Sequence, residues 1–328
     1  MPKLFFNMLI LALLTGCAVG PDYYRPPTAQ PAEFHAAHES GDFEQAEQLF
    51  WQGFEDPLLE SLIRQTLVAN QTLLGAMARY RRASALLDGA RRNQLPSVTT
   101  EAGATEAWPS APEQATTGAN IDRFETYQGS VVATWELDLF GRLRRITEAQ
   151  QAELDAVGAD LQALQVAMVG QLASSYFQLR GLQAQYRIAE QNMALYEDSL
   201  AIVNARVGAG RGTDFDRVRA RAQLQRAHAE LPPLEAAIRT TMHRIAVLTG
   251  QEPSVLIDEL SKEQPLPGTM PAIPVDSPAD VLRRRPDIIA SEQRLAAATA
   301  RIGVAVADLF PRFTLGGLLG SVAGDPSD

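Results

Sequence analysis

The fold is decided by residues 154–214, which read LDAVGADLQALQVAMVGQLASSYFQLRGLQAQYRIAEQNMALYEDSLAIVNARVGAGRGTD. Apolar and small residues recur there at alternating steps of three and four for about seven heptads, with one stutter near Met168. No proline interrupts residues 142–207, so the pattern predicts one helix about 100 Å long. A compact domain of this chain's size has no room for such a helix. The repeat is carried by Leu154, Val157, Leu161, Leu164, Met168, Leu172, Ser175, Leu179, Leu182, Tyr186, Ala189, Met193, Tyr196, Leu200, Val203 and Val207.

The helical pattern ends at the sequence GAGRGTD, residues 208–214. Its glycines permit a sharp reversal of the chain, and Thr213 or Asp214 can cap a returning helix. That helix is predicted to run to about residue 250, with Pro232-Pro233 as a break or an offset. The sequence therefore predicts a long antiparallel helical hairpin with its tip at 208–214. A coiled-coil spacer would show the same heptads, so this pattern alone leaves that alternative open.

A segment in which the residue type alternates with a period of two precedes the long helix. From residue 127 to 138, apolar and small residues alternate with a mostly polar set, which predicts a β-strand with one apolar face. Residues 97–108 form a weaker mate, and a polar loop between the two completes a hairpin. Aromatic residues stand near the strand ends, at Trp108, Tyr127 and Trp135. An outer-membrane hairpin requires this arrangement, but a soluble sandwich hairpin has the same alternation, so both remain open here.

The two ends of the helical region are similar in sequence. A helix is predicted from Asp56-Pro57 to about Arg92, ahead of Pro96. A second Ala-rich helix follows the Pro-rich connector 264–275 and ends before Pro311, and its residues match those of the first helix at a constant offset. Each helix is followed by a strand that contains Thr and Gly, so the chain is predicted to be an internal duplication. The matched pairs are Leu73 with Ile288, Tyr80 with Leu295, Ala83 with Ala298, and Ala90 with Ala305.

The N-terminus has the features of an exported lipoprotein. Residues 1–16 combine a positive start with an apolar run too short to span a bilayer. Leu14-Thr15-Gly16-Cys17 resembles a bacterial lipobox, in which the cysteine is lipidated and becomes the first residue of the mature chain. Ala18 follows instead of aspartate, which by resemblance to lipoprotein sorting indicates the outer membrane. A buried N-terminal helix with a core cysteine is the alternative. Residues 21–34 are Pro-rich and predicted to be an extended tether.

Composition excludes several classes of function. The formal net charge of −10 argues against a nucleic-acid partner, which requires a basic face. Cys17 is the only cysteine, so no disulfide can form within the chain. No later stretch approaches the ~20 consecutive apolar residues of a membrane-spanning helix.

Little in the sequence points to an enzyme. His35 and His38 are spaced for a shared helical face but lack further metal ligands, and His228 and His243 lie in patterned helix. GAGRG lacks the preceding strand and the spacing of a phosphate-binding loop, so a turn is favoured. The run 283–285 of three arginines could bind anions, but solvated helix starts more often carry such runs. We therefore predict no catalytic residues, no cofactor and no metal site.

Several motifs together resemble the outer membrane factor family, in its lipoprotein branch of the OprM and NodT type, related to TolC. The resemblance covers essentially residues 14–319. Its motifs are CAVGPDYYRP after the lipobox, FWQGFEDPLLESLI, WELDLFGRLRR at 135–145, VGAGRGTDFDRVRA at 207–220, LPPLEAAIRTTMHRIAVLTG, and RRRPDIIASEQRLAAATARIGVAVADLFPRFTL.

The resemblance implies a mainly α-helical fold with a small β membrane part. Such proteins are homotrimers in which each protomer gives four strands to a shared outer-membrane β-barrel and helices to a periplasmic α-helical tunnel. The implied function is a passive efflux channel for drugs or other small solutes, served by a periplasmic adaptor (membrane fusion protein) and an inner-membrane RND-type pump. By likeness, Gly208, Gly210, Thr213 and Asp214 form the adaptor-docking tip. Asp138, Gly141 and Arg142 lie where strand passes into helix.

The resemblance also implies a division of the chain, and one departure from the family. The second repeat stops at GDPSD, inside its expected hairpin, so we expect a fragment or a truncated product. A truncated or accessory coiled-coil lipoprotein with a structural role and no channel activity is the alternative. The segments are a signal peptide 1–16, a lipidated tether 17–55, a periplasmic helix 56–96, a barrel hairpin 97–138, a long helical hairpin 139–263, a connector 264–275, a second-repeat helix 276–310 and the start of a second hairpin 311–328.

Overall fold

The computed structural model describes residues 18–27, 50–110, 112, 123–266 and 277–324. The chain divides into two compact units. The first takes in residues 1–27, 80–158 and 290–328, and the second takes in residues 28–79 and 159–289. Each unit combines stretches that are distant in sequence. The boundaries between the units fall within helices, so a single helix can belong to both.

The described residues are mainly helical, with a small sheet, as predicted. A 3-10 turn, Gln52–Phe54, precedes the first helix. The helices are α1 (Pro57–Ala69), α2 (Gln71–Arg92), α3 (Arg142–Gly208), α4 (Asp214–Leu248), α5 (Ile257–Leu260), α6 (Pro278–Arg284) and α7 (Pro286–Ala307); the strands are β1 (Ser97–Ala107), β2 (Phe124–Leu137) and β3 (Phe313–Ala323). None of these helices has the length and apolarity that crossing a membrane requires.

The long helices follow the heptad pattern, with one correction. α3 runs for 67 residues, about 100 Å at the rise of an α-helix. Pro232 and Pro233 were predicted to break or offset the returning helix, but α4 continues through both over 35 residues. Both prolines are exposed, so water can bind the carbonyl groups that lose their helical N–H partners.

The two Ala-rich helices are each interrupted, where continuous helices were predicted over 56–92 and 276–310. Asn70 leaves the helical region with a ψ of 123° and separates α1 from α2. Arg285 does the same between α6 and α7, with a ψ of 120°. The break at Arg285 has a signal in the sequence, because a residue that precedes proline is driven out of the helical region.

The predicted duplication is present in the structure. α2 and α7 each have 22 residues, and their first residues, Gln71 and Pro286, are separated by the same offset as the matched pairs of the sequence. β1 and β3 each have 11 residues, and their first residues, Ser97 and Phe313, keep that offset to within a single position. The repeat therefore includes the strands, as predicted, and extends to the helix breaks at Asn70 and Arg285, which were not predicted.

The core of the second unit joins α1, α3, α4 and α5. Its fully buried side chains include those of Leu59, Leu62, Leu172, Leu179, Ile245 and Leu260. Burying side chains of this size contributes about 1.5–3 kcal/mol each. These buried apolar side chains, contributed by all four helices, hold this unit together.

A polar network lies at the edge of this core. The Tyr176 hydroxyl donates to Asp56 Oδ2 at 2.5 Å and accepts from Arg180 Nη2 at 3.2 Å. Arg180 Nη1 donates to the Lys262 carbonyl and to Gln183 Oε1, both at 2.8 Å. Arg180 is 1% exposed. Burial and the hydrogen bond to Asp56 raise the pKa of Tyr176 to about 12.

The end of α4 is fastened to the break between α1 and α2. Asn70 Nδ2 donates to the Leu248 carbonyl at 2.8 Å, while Asn70 Oδ1 accepts from the backbone N–H groups of Thr72 and Leu73 at 2.9 and 3.1 Å. Gly250 adopts a φ of +75°, and a Cβ there would collide with the Ala69 carbonyl. One buried side chain therefore caps α2 and holds α4 at the same time.

Candidate functional site

The sheet is the first candidate functional surface. β2 is its central strand and pairs antiparallel with β1 and β3. Val131 lies opposite Thr100 of β1 and Leu319 of β3, so these residues share one face. The alternation predicted for β2 is confirmed, although the strand begins at Phe124, three residues before the predicted start.

One face of the sheet is apolar and exposed. The apolar residues of this face form one surface, the apolar face. They are Val98, Ala102, Ala104, Tyr127, Val131, Ala133, Trp135, Leu137, Phe313, Leu315, Leu319 and Ala323. Leu319 is 80% exposed, Val98 67% and Leu315 61%. Contiguous apolar surface of this kind marks an interface with protein or lipid.

The opposite face is mostly polar. It carries Ser97, Thr99, Glu101, Thr105, Thr126, Gln128, Ser130, Thr134, Glu136 and Thr314, with Ala107, Phe124, Val132, Leu318 and Val322 as apolar exceptions. The sheet thus has two chemically distinct sides, both of which are open to solvent in one protomer.

The end of the apolar face that is farthest from the helices is charged. Glu106 and Glu125 lie directly opposite each other, where like charges would repel. Arg123 forms ion pairs with both carboxylates. The charged cluster marks the limit of the apolar face.

The strand–helix junction, residues 137–145, contains three of the predicted site residues. Asp138 caps α3, because its carboxylate oxygens accept from the backbone N–H groups of Leu143 and Arg144 at 3.0 and 2.9 Å. Gly141 has a φ of +81°, which favours glycine. Arg142 makes a two-bond ion pair with Glu136, at 2.9 and 2.7 Å. These bonds raise the pKa of the Arg142 guanidinium and keep it charged.

Sequence reasoning missed the residue that organises the junction, Arg145. Its side chain is 5% exposed and donates to the carbonyls of Val19 and Gly20, to Asp22 Oδ1 at 2.7 Å and to Glu148 at 2.8 Å. The hydrogen bond to Glu148 and, to a smaller extent, the hydrogen bond to Asp22 raise the pKa of the Arg145 guanidinium. The heptad pattern begins after Arg145, so no periodicity marked this position.

Residues 18–22 lie against this junction, where the sequence predicted an extended tether. The Val19 N–H donates to the Phe140 carbonyl at 3.1 Å. A Cβ on Gly141 would lie 2.6 Å from Ala18 Cα, and a Cβ on Gly20 would lie 2.5 Å from Gly303 Cα. The start of the segment is therefore packed on its neighbours at backbone distance.

The hairpin tip contains four more of the predicted residues, Gly208, Gly210, Thr213 and Asp214, all of them exposed. Gly208 is the last residue of α3, and Gly210 has a φ of +71°. The N–H groups of Gly210 and Arg211 donate to the carbonyls of Val207 and Arg206, at 3.0 and 2.9 Å. This pair of bonds is the Schellman arrangement that ends many helices.

Thr213, not Asp214, caps the returning helix. The Thr213 hydroxyl accepts from the Asp216 N–H at 3.3 Å, and Asp216 Oδ2 accepts from the Thr213 N–H at 3.0 Å. These bonds from Thr213 lower the pKa of the Asp216 carboxyl. Asp214 is the first residue of α4 and forms an ion pair with Arg217. Phe215 and Val218 follow at 72% and 57% exposure, so the fixed turn presents apolar side chains.

The remaining candidates lie partly outside the described residues. Cys17, its lipobox Leu14-Thr15-Gly16, and His35 and His38 lie outside the described residues. His228 and His243 are exposed, and no group of three potential metal ligands occurs among the described residues. Arg283 pairs with Asp280, and Arg285 pairs with Asp287 at 2.7 Å.

Comparison with known proteins identifies the family. Residues 62–251, more than half of the chain, match the model of the outer membrane efflux protein family. The chain belongs to the outer membrane efflux protein family. It is 32% identical over 320 residues to nodulation protein T of Rhizobium leguminosarum bv. trifolii, covering 98% of this chain and 67% of that protein. It is 30% identical to the toluene efflux pump outer membrane protein TtgF of Pseudomonas putida, over 97% of this chain and 68% of that protein.

A solved structure supports the same assignment. The outer-membrane channel OprN superposes with a TM-score of 0.81 and 41% identity, over 95% of this chain and 69% of that chain. The chain thus spans about two thirds of the length of these relatives. The predicted family and its efflux class are confirmed, and outer-membrane efflux proteins are a family of transport proteins. What an individual relative exports is not carried over to this chain.

Proposed function

We propose that this chain forms part of a passive outer-membrane conduit through which small toxic solutes leave the cell. The observation that carries the proposal is the two-sided sheet placed directly before the 67-residue helix of a long hairpin. The chain binds no cofactor in this proposal, and the energy for export comes from a partner pump.

The sheet is proposed to lie in the membrane, within a closed sheet made by several copies. Its apolar face would contact lipid and its polar face would line the water-filled path. β2 has partners on both sides, whereas β1 and β3 each have one partner among the described residues. An unpaired strand edge in lipid is costly, which favours assembly with further copies, a homotrimer by resemblance.

The hairpin tip is proposed to bind the periplasmic adaptor that connects the conduit to an inner-membrane pump of the RND type. The Schellman turn at Gly210 and the cap at Thr213 fix the backbone. Phe215 and Val218 then supply an apolar contact surface next to Arg211 and Arg217. An adaptor surface with apolar pockets and acidic residues would complement the tip.

A lipid on Cys17 is proposed to anchor the N-terminus in the outer membrane. The proposal rests on the lipobox and on the position of the next residue, Ala18, at the base of the sheet. An anchor of this kind would place the first mature residue at the boundary between the membrane and the periplasm.

Two measurements test the function in cells of the source bacterium. Deleting the gene should raise intracellular accumulation of a fluorescent dye such as ethidium, and the intact gene should restore export. A photo-crosslinking amino acid at Phe215 should capture a periplasmic adaptor, while the same group at Leu195, 66% exposed on α3, serves as the control.

Unchanged dye accumulation in the deletion strain would reject an efflux role for the solute class tested. Capture of the adaptor at Leu195 but not at Phe215 would reject docking at the tip. The alternative of a structural coiled-coil lipoprotein predicts neither effect, and it gives no role to the sheet or to the duplication.

A further inference from the structure

We propose that residues 18–25 are a clasp that fastens α7 of the second repeat to the start of α3 in the first, with Arg145 as the positioning residue. By holding Ala18, the clasp would also keep the preceding Cys17 close to the base of the sheet, where the proposed lipid anchor meets the membrane. This second consequence rests on the proposed function, because it takes the apolar face to lie in the membrane.

The first half of the clasp contacts the first repeat. Val19 binds the carbonyl of Phe140, and the buried guanidinium of Arg145 holds the carbonyls of Val19 and Gly20 together with the Asp22 carboxylate. Three of the four hydrogen bonds of this buried guanidinium go to residues 19–22, and the fourth goes to Glu148, so removing the segment would leave buried donors unpaired.

The second repeat closes the same site from the other side. A Cβ on Gly303 of α7 would lie 2.9 Å from Arg145 Cδ and Nε. Gly20, with a φ of +92°, approaches Gly303 at backbone distance, since a Cβ on Gly20 would lie 2.5 Å from Gly303 Cα. A side chain at Gly303 would therefore collide with Arg145, and a side chain at Gly20 would collide with the backbone of Gly303. The Phe140 and Phe310 rings, stacked at 4.6 Å, join the two repeats nearby.

The second half of the clasp follows α7. The Tyr23 hydroxyl donates to Glu292 at 3.3 Å, and Arg25 forms an ion pair with the same carboxylate at 2.5 Å. Glu292 precedes Gly303 by about 16 Å of helix, which matches the reach of residues 20–25 in an extended conformation. The clasp therefore runs away from the strands, and its first described residue, Ala18, lies at the base of the sheet.

Release of the clasp can be measured by electron paramagnetic resonance on the full-length protein. Tyr24 is 81% exposed, so Tyr24→Cys can carry a nitroxide label, and a lipidated Cys17 has no free thiol to react. We expect the ratio of released to docked label to rise at least about tenfold in Arg145→Ala, because even one of its three charge-assisted hydrogen bonds to the clasp is worth that factor. Arg301→Ala is the matched control, since it removes an α7–α3 ion pair with Glu153 but does not touch the clasp.

Two further variants keep the test informative if Arg145→Ala does not fold. Asp22→Ala and Gly20→Val change only the clasp, and Asp22 itself is largely exposed. Both should release the label, whereas Arg301→Ala should leave it docked. A docked label in all folded clasp variants, or equal release in Arg301→Ala, would overturn the clasp.

The position of residue 17 is tested by photo-crosslinking. Phe313 and Leu319 are both on the apolar face, about 20 Å apart along β3. A photo-crosslinking amino acid at Phe313 should join the peptide 17–25, and the same group at Leu319 should not. Crosslinking from Leu319 alone would overturn the placement. Neither readout uses export, so an export-negative protein with an intact clasp would reject the proposed function and leave the clasp standing.

Discussion

Asn70 and Arg285 occupy matching positions in the two repeats and break the helices at the same place. Their backbone angles are nearly identical, with φ of −62° and −64° and ψ of 123° and 120°. Each residue ends a shorter helix and is followed at once by a helix of 22 residues. The two side chains differ in chemistry, so the duplicated feature is the backbone break.

Replacing Asn70 should destabilise the second unit. Asn70→Ala removes the two hydrogen bonds that cap α2 and leaves the Leu248 carbonyl without its donor. We therefore expect a loss of about 2–3 kcal/mol in the free energy of unfolding. Urea unfolding in detergent, followed by circular dichroism, measures it. Gln71→Ala, at the exposed neighbouring position, should change stability little. Equal effects of the two substitutions would contradict the role of Asn70.

Charge should be tolerated on only one side of the sheet. Leu319 and Leu318 are neighbours of similar exposure but lie on opposite faces. Leu319→Arg would place a charge in lipid, at about 2–4 kcal/mol near the midplane, whereas Leu318→Arg would face the polar side. We expect the first variant to be depleted from the outer-membrane fraction on immunoblots and the second to be retained. The reverse pattern would assign the faces the other way round.

The two glycines at the tip should respond differently to alanine. Gly210→Ala forces a side chain into the left-handed region, which costs about 1–2 kcal/mol, while Gly208→Ala replaces a helical glycine and should not weaken the turn. Hydrogen-exchange mass spectrometry of peptides that span 204–218 measures the difference. Faster exchange should occur only in Gly210→Ala, and faster exchange in Gly208→Ala instead would contradict the Schellman geometry.

Alkaline pH should weaken the protein through Tyr176. Its pKa is about 12 in the folded state against about 10 in an unfolded chain. Stabilisation by the neutral phenol is therefore complete below pH 10 and is lost as the pH rises toward 12. Tyr176→Phe should be less stable at pH 7, by about 1–3 kcal/mol, but should lose less between pH 10 and 12. Thermal unfolding midpoints measure this, with Tyr196→Phe as the exposed control.

Acid should fray the start of α4 at the hairpin tip. Hydrogen bonds from Thr213 hold the folded pKa of Asp216 below its ordinary value. The capping interaction is therefore present above the unfolded pKa, about 3.9, and is lost as the pH falls through the lower folded value. A nitroxide at Arg219→Cys should become mobile in that range, while Asp216→Ala should be mobile throughout. A mobile label in the parent protein at neutral pH would refute the cap.

Local chemistry predicted several parts of the candidate site. The alternation in residues 127–138 identified the apolar face of β2, and the glycines with Thr213 identified the tip, because both depend on neighbours within a few residues. The prediction failed at Pro232 and Pro233, where two exposed prolines weaken a helix locally but packing over the rest of α4 outweighs the loss. It also failed at Asn70, whose cap is strengthened by a partner 178 residues away.

The sequence by itself determined the long helical hairpin, the two-sided strands, the duplication and the family, since periodicity and local motifs are written in consecutive residues. The tertiary structure alone decided that β3 joins β2, that Arg145 is buried at the junction, and that residues 18–20 approach Gly141 and Gly303. These contacts join residues that are far apart in the chain, and glycine is required there because backbones approach one another in space. The residues on either side of each glycine in the sequence do not indicate which distant backbone approaches it.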